Sequence, residues 1–173
     1  MSLATHPVHQ GLRERFIDGK DWENTRYYDW AKNRIETKGN KWGHSTIESF
    51  KKHRCEYLDE LYERIRTDGY KMQVDISDDE RDSKRHDTMS ARHLETHEIG
   101  CNVGRDGELI LNTGNHRLAI AKILEIERIP VKIIVRHEQW QRMRAEIADA
   151  PDPADITREL DVEPTHPDLI GIA

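Results

Sequence analysis

The sequence predicts an α+β fold: a small mixed β-sheet with packed helices, preceded by a helical N-terminal extension. Three observations carry this. Apolar residues between Ile47 and Ile65 recur near helical spacing. Two short apolar runs flank Arg105-Asp106-Gly107, a turn signal that reads as a hairpin. A third run, Ile129-Pro-Val-Lys-Ile-Ile-Val135, follows a helical segment and reads as a buried strand, with Pro130 at its start where proline is tolerated.

Taken in order, residues 1–10 read as a loose arm. Leu12 to Ile35 read as short helices and turns carrying Phe16, Trp22, Tyr27, Tyr28 and Trp30. Gly39 to Gly43 form a loop around Trp42. Ser45 with Glu48 has the form of a capping box, which opens a helix over about 45–67 that Gly69 stops. Residues 75–97 are mostly charge and read as an exposed connector. Glu98 to Gly104 and Leu109 to Asn112 are the hairpin strands, and a helix with Leu118, Ile120, Ala121, Ile123 and Leu124 on its apolar face begins after Gly114. Glu138 to Ala148 reads as a last long helix. The tail from Ala150 holds four prolines and reads as an extended linker with a short helix near Ile156–Leu160. The chain thus divides into a helical region 1–74, the connector 75–97, an α/β core 98–148 and a proline-rich tail 149–173.

Composition narrows the function classes. Charged and hydrophobic residues are each 35% of the 173, so the core is modest and the surface strongly charged. A net charge of -6 argues against a protein that grips duplex DNA with its whole surface, although a local basic face can hide in that average. Cys55 and Cys101 make neither a disulfide framework nor a metal-type pair, which fits a reducing compartment. The N-terminus lacks the order of a signal peptide, and no run reaches the ~18 apolar residues of a membrane helix. A soluble, cytoplasmic protein is expected.

Chemistry concentrates in Asp106-Gly-Glu-Leu-Ile-Leu-Asn-Thr-Gly-Asn-His-Arg-Leu-Ala-Ile-Ala-Lys122, which reads as turn, strand, glycine loop and helix. Backbone N–H groups at a helix start are unpaired and carry positive partial charge. Gly114, Asn115, His116 and Arg117 stand there, so an imidazole and a guanidinium join those amides and the junction becomes a place for phosphate.

The order strand, glycine loop, helix, turn and strand over 98–136, with Gly114-Asn115-His116-Arg117 and Ile129-Pro130-Val131, resembles the ParB/sulfiredoxin-like superfamily. Its members carry a G-x-x-R signature at this junction: Gly-Glu-Arg-Arg in ParB-type partition proteins, Gly-Cys-His-Arg in sulfiredoxins, Gly-His-His-Arg in archaeal free-serine kinases. The resemblance spans about a quarter of the chain. It implies a nucleotide phosphate site for ATP or ADP with Mg²⁺, CTP being a further candidate. Gly114 would let the backbone approach, Arg117 would pair with phosphate oxygens, and His116 would take the place of the sulfiredoxin and kinase histidine. The implied activity is nucleotide-dependent phosphoryl transfer to an unknown small-molecule or macromolecular acceptor.

The departures are informative. Asn115 stands where sulfiredoxin needs a cysteine, so that chemistry is not expected. The 37 residues after Arg136 are expected to be too few for a helix-turn-helix domain, so DNA is a disfavoured partner. Thr113 stands where the kinases place an aspartate, which leaves Glu98 as the candidate carboxylate to orient the acceptor hydroxyl or hold Mg²⁺; otherwise Glu98 is a strand-edge carboxylate. Arg105 is either a phosphate contact from the hairpin turn or a solvated arginine. His137 is either a second phosphate or base contact or a plain strand-end histidine. Of His86, His93 and His97, the last two would share a helical face but lack a third metal ligand of known position, and no metal site is expected. The acidic run Asp75–Asp82 reads as a solvated face. The aromatic residues from Trp22 to Trp42 read as core, or as a lid over a base. Two alternatives to an enzyme remain: a ParB-like DNA-binding protein or nuclease, and a nucleotide sensor without turnover.

Overall fold

The computed structural model describes residues 5–72, 75 and 98–172. The fold mixes helices with a three-stranded mixed sheet, in keeping with the α+β expectation. Two compact units result: Met1–Ile99 with Gly114–Pro130, and Gly100–Thr113 with Val131–Ala173. This division runs differently from the sequence segmentation. The helix after Gly114 groups with the N-terminal helices, and the tail groups with the sheet. The connector lies outside the described residues apart from Asp75, and His86, His93 and His97 with it.

The first unit is helical. Helix α1 (Pro7–Phe16) starts inside the stretch expected to be a loose arm, because the His6 ring accepts from the Val8 amide and Pro7 occupies the first helical position. Helix α2 (Arg26–Lys38) is capped by Thr25, whose hydroxyl accepts from the Tyr28 amide and donates to the Trp22 carbonyl. The two helices close on each other at Gly11, where a Cβ would stand 2.2 Å from Tyr27 Cβ.

The next helical run has three parts: α3 (Ile47–Ser49), a π-helical segment Phe50–Cys55, and α4 (Glu56–Asp68). Its N-cap is Thr46 rather than the expected Ser45; the Thr46 hydroxyl accepts from the Ser49 amide, and that bond sets the register. Gly69, at φ 77°, ends α4 as expected. Leu58, Leu61 and Ile65 face inward, and α5 (Asn115–Ile123) adds Ala119 and Ile120 to the same core.

The second unit holds the sheet. Strand β1 (Gly100–Val103) lies between β2 (Leu109–Thr113), antiparallel, and β3 (Lys132–Arg136), parallel. The β3 run, expected to be buried, is half open: Ile134 is 45% and Val135 58% exposed. Ile134 and Val135 point to opposite faces, and of the three apolar residues only Ile133 packs on this unit's core. Helix α6 (Glu138–Asp149) packs Trp140 and Ile147 beside Val103 and Leu169. In the hairpin turn, a Cβ on Gly107 would strike the Trp140 ring at 2.6 Å, so the glycine admits the indole.

The tail is not a linker. After α7 (Pro153–Glu159) it returns through a 3-10 turn, Pro167–Leu169, that buries Leu169 completely. Asp168 anchors it: Arg136 binds both carboxylate oxygens at 2.8 and 2.6 Å, and Trp140 Nε1 donates to one of them at 2.8 Å. His166 Nδ1 accepts from the Asp168 amide, so its Nε2–H donates to the Gly107 carbonyl. Proline composition reads as linker, but it does not register these long-range polar partners. No described helix is long and apolar enough to cross a membrane.

Burial opposes ionisation of Asp168, but the hydrogen bonds from Arg136 and Trp140 outweigh it and hold the carboxyl below its ordinary value. Its folded pKa is therefore depressed, and its stabilisation is full above the unfolded carboxylate pKa of ~3.9 and is lost as pH falls through the lower folded value. Asp168→Asn is expected to remove about 2–3 kcal/mol, somewhat under a fully buried pair because Arg136 keeps solvent contact. Urea denaturation should show that loss at pH 7, and the difference from wild type should shrink at pH 2–3.

Candidate functional site

The junction before α5 is built around a close approach. Gly114 adopts φ 89°, ψ 20°, and a Cβ there would stand 2.7 Å from Ile99 Cα and 3.2 Å from the Glu98 carbonyl oxygen. The glycine is thus required by the chain passing behind it. No side chain caps this helix start, and Asn115, the first helical residue, is half-buried.

His116 turns into the unit. Its Nε2 lies 3.0 Å from the Tyr27 hydroxyl and its Nδ1 3.1 Å from an Arg54 guanidinium nitrogen. Arginine only donates, so Nδ1 is the acceptor and the proton sits on Nε2, directed at the Tyr27 oxygen. Burial pushes the Tyr27 hydroxyl well above the ordinary phenol range against the opposing pull of Arg54, so Tyr27 is a neutral phenol. Tyr27 and Trp42 meet the imidazole edge-on at 5.5 and 5.1 Å. Arg54 comes from the π-helical segment, a wide turn of a kind that recurs at functional sites.

Arg117 takes a different direction. It is 7% exposed, its guanidinium lies 5.4 Å from the Tyr70 ring centre, and it donates to the Lys71 carbonyl at 3.3 Å. Burial raises the Tyr70 hydroxyl, with Arg117 opposing and Glu98 adding, which puts both charged groups in its surroundings. Arg117 lines a pocket of about 230 Å³ with Arg64, Lys71, Asp68, Gly69 and the apolar Leu61 and Ile65. Glu98 is 3% exposed.

Arg105 and His137 belong to the other unit. Arg105 is exposed in the β1–β2 turn. His137 caps α6, its Nδ1 accepting from the Gln139 amide at 3.1 Å. Cys55 is buried, and its thiol is pushed up to about 12 by burial, then by Asp59 and Glu23; burial also raises Cys101. Neither is poised as a thiolate. Among the described residues no group of three metal-capable side chains converges.

The sequence marks Tyr27 and Trp42 only as core or as a lid over a base, and gives no role to Arg54 beside His116 or to Arg64, Tyr70 and Lys71 around Arg117. Lys71, just past the Gly69 stop, is the one with a usable signal: a cation following a helix end. No known family, curated protein or solved structure matches this chain.

Gly114→Ala is expected to destabilise the protein by about 2–4 kcal/mol, from a left-handed alanine and a clash with Ile99; thermal unfolding measures it. The ring of His116 should show a protonated Nε2 and a bare Nδ1 at pH 7 in nitrogen-15 NMR. Arg54→Met should release that preference.

Proposed function

We propose that the helical unit binds the phosphate of a nucleotide, with Arg117, Arg64 and Lys71 as the contacting cations. The observation that carries this reading is the convergence of those three side chains on one pocket beside the glycine turn into α5. Guanidinium groups bind phosphate oxygens in a fork, and a lysine adds a compact charge. The 230 Å³ volume suits a phosphate head group. It is below the ~300–1,000 Å³ of pockets that enclose a whole drug-sized ligand. The sugar and base would therefore lie outside it.

In this reading His116 is a positioning residue. Both of its nitrogens are bonded within the cage that Tyr27, Arg54 and Trp42 form around it, so it fixes the first turn of α5 and with it the direction of Arg117. Phosphoryl transfer to an acceptor is the activity that the ParB/sulfiredoxin-like resemblance implies. Arg117, Arg64 and Lys71 would then offset charge on the transferred group, and Glu98 would be the carboxylate for the acceptor. Mg²⁺ commonly arrives with the phosphates and takes one or two protein carboxylates, for which Asp68 lines the pocket. A sensor that binds without turnover uses the same contacts.

Thermal shift with phosphate, ADP, ATP and CTP, each with Mg²⁺, tests the site. A ligand at a hundred times its Kd stabilises by ~2.7 kcal/mol, which is about 5–10 °C for a chain of this size. Lys71→Ala changes an exposed side chain, and is expected to keep the fold and weaken binding about tenfold. No shift with any of the four ligands overturns the proposal. Product analysis on a nucleotide that does bind then separates enzyme from sensor.

A further inference from the structure

Between Lys32 and Arg54 the chain carries seven lysines and arginines against two carboxylates, Glu36 and Glu48, although its net charge is -6. The basic stretch lies outside the residues that carry the family resemblance. It contains a tight turn in which Lys41 and His44 exchange both backbone hydrogen bonds, at 2.9 and 3.0 Å. The central residues are Trp42 at φ 50° and Gly43 at φ 85°, the pattern of a type I′ turn. Such turns favour Asn, Asp or Gly at both positions; a left-handed tryptophan is an outlier that points to use.

The Trp42 indole is 40% exposed. Beneath it are the Phe50 ring, stacked at 6.2 Å, and Trp30 at 5.3 Å. Cations crowd the same place: Lys41 Nζ is 4.0 Å from the Trp42 ring centre and the Arg54 guanidinium 5.2 Å. His44 and His53 stack at 6.1 Å. Lys41 titrates low through burial and then through Arg34 and Arg54; His44 does so through burial, His53 and Arg54. Like charges held together on an aromatic floor are relieved by an anion.

We propose that this face binds a single strand of nucleic acid, a base stacking on Trp42 and the backbone phosphates meeting Arg34 and Lys41. A cationic groove with an aromatic platform is the arrangement that single strands use, since each base offers a π-face. A duplex hides those faces. The face shares Trp42 and Arg54 with the surroundings of His116, but no residue with the lining of the phosphate pocket.

Fluorescence anisotropy with labelled single-stranded DNA and RNA, and the corresponding duplex, tests it on the full chain. Binding should weaken with salt, with a log–log slope of about -0.7 per phosphate contact, and should quench tryptophan emission. Arg34→Glu, at an exposed site, should weaken binding about tenfold. Trp42→Gly suits the left-handed turn but removes packing on Phe50 and Trp30, so its helix content is checked by far-ultraviolet circular dichroism; folded Trp42→Gly should lose about tenfold, and Trp42→Phe, which keeps a ring there, should recover most of that. Lys71→Ala should bind the strand as wild type does. A preference for RNA or for DNA supports the proposal and names the sugar. Absence of salt-dependent binding, an unchanged affinity in Trp42→Gly, or a duplex bound as tightly as the strand overturns it.

Discussion

The helical unit depends on one buried phenol. Tyr27 is wholly inaccessible, and a hydroxyl in that position must find polar partners inside the protein. The His116 imidazole and the Arg54 guanidinium are the groups around it. That demand ties three distant pieces of chain together. Helix α2 supplies the tyrosine, the π-helical segment supplies the arginine, and the first turn of α5 supplies the histidine. Gly11 and the aromatic rings of Trp22 and Phe50 complete the packing around it.

The consequence is a division of labour between neighbouring residues. Successive side chains on an α-helix diverge by about 100°. His116 is committed to the cage, so Arg117 is directed toward Tyr70 and the small pocket with Arg64 and Lys71. The glycine loop serves the fold through Gly114 and His116, and sets Arg117 in the lining of the pocket. A motif in which every polar residue is assigned to phosphate overlooks that inner half.

The sheet-bearing unit solves a different problem. Three short strands and one long helix bury few residues, and the last turn of the chain closes the core with Leu169. Asp168 makes that closure specific. A carboxylate almost out of solvent accepts from Arg136 and Trp140 at once, and its neighbour His166 reaches the hairpin turn. Removing any one partner leaves another buried polar group unsatisfied, so the tail is held by geometry as well as by apolar area.

Local features were legible in the chain itself. The period of Leu58, Leu61 and Ile65, the stop at Gly69, the hairpin at Arg105–Gly107 and the glycine opening α5 each depend on neighbours within a few residues, where backbone sterics and periodicity decide. The cap falls at Thr46, one place past Ser45, because two neighbouring hydroxyl residues are close in preference, and α1 starts at Pro7, within the stretch whose composition reads as an arm. What only the tertiary structure decided has another character. The partners of His116 lie 89 and 62 residues away. The tail's anchor joins residues 32 apart, and the openness of β3 depends on which strands stand beside it. A buried polar group needs a partner, but composition does not say which one. That choice is made only when the helices close and water is excluded.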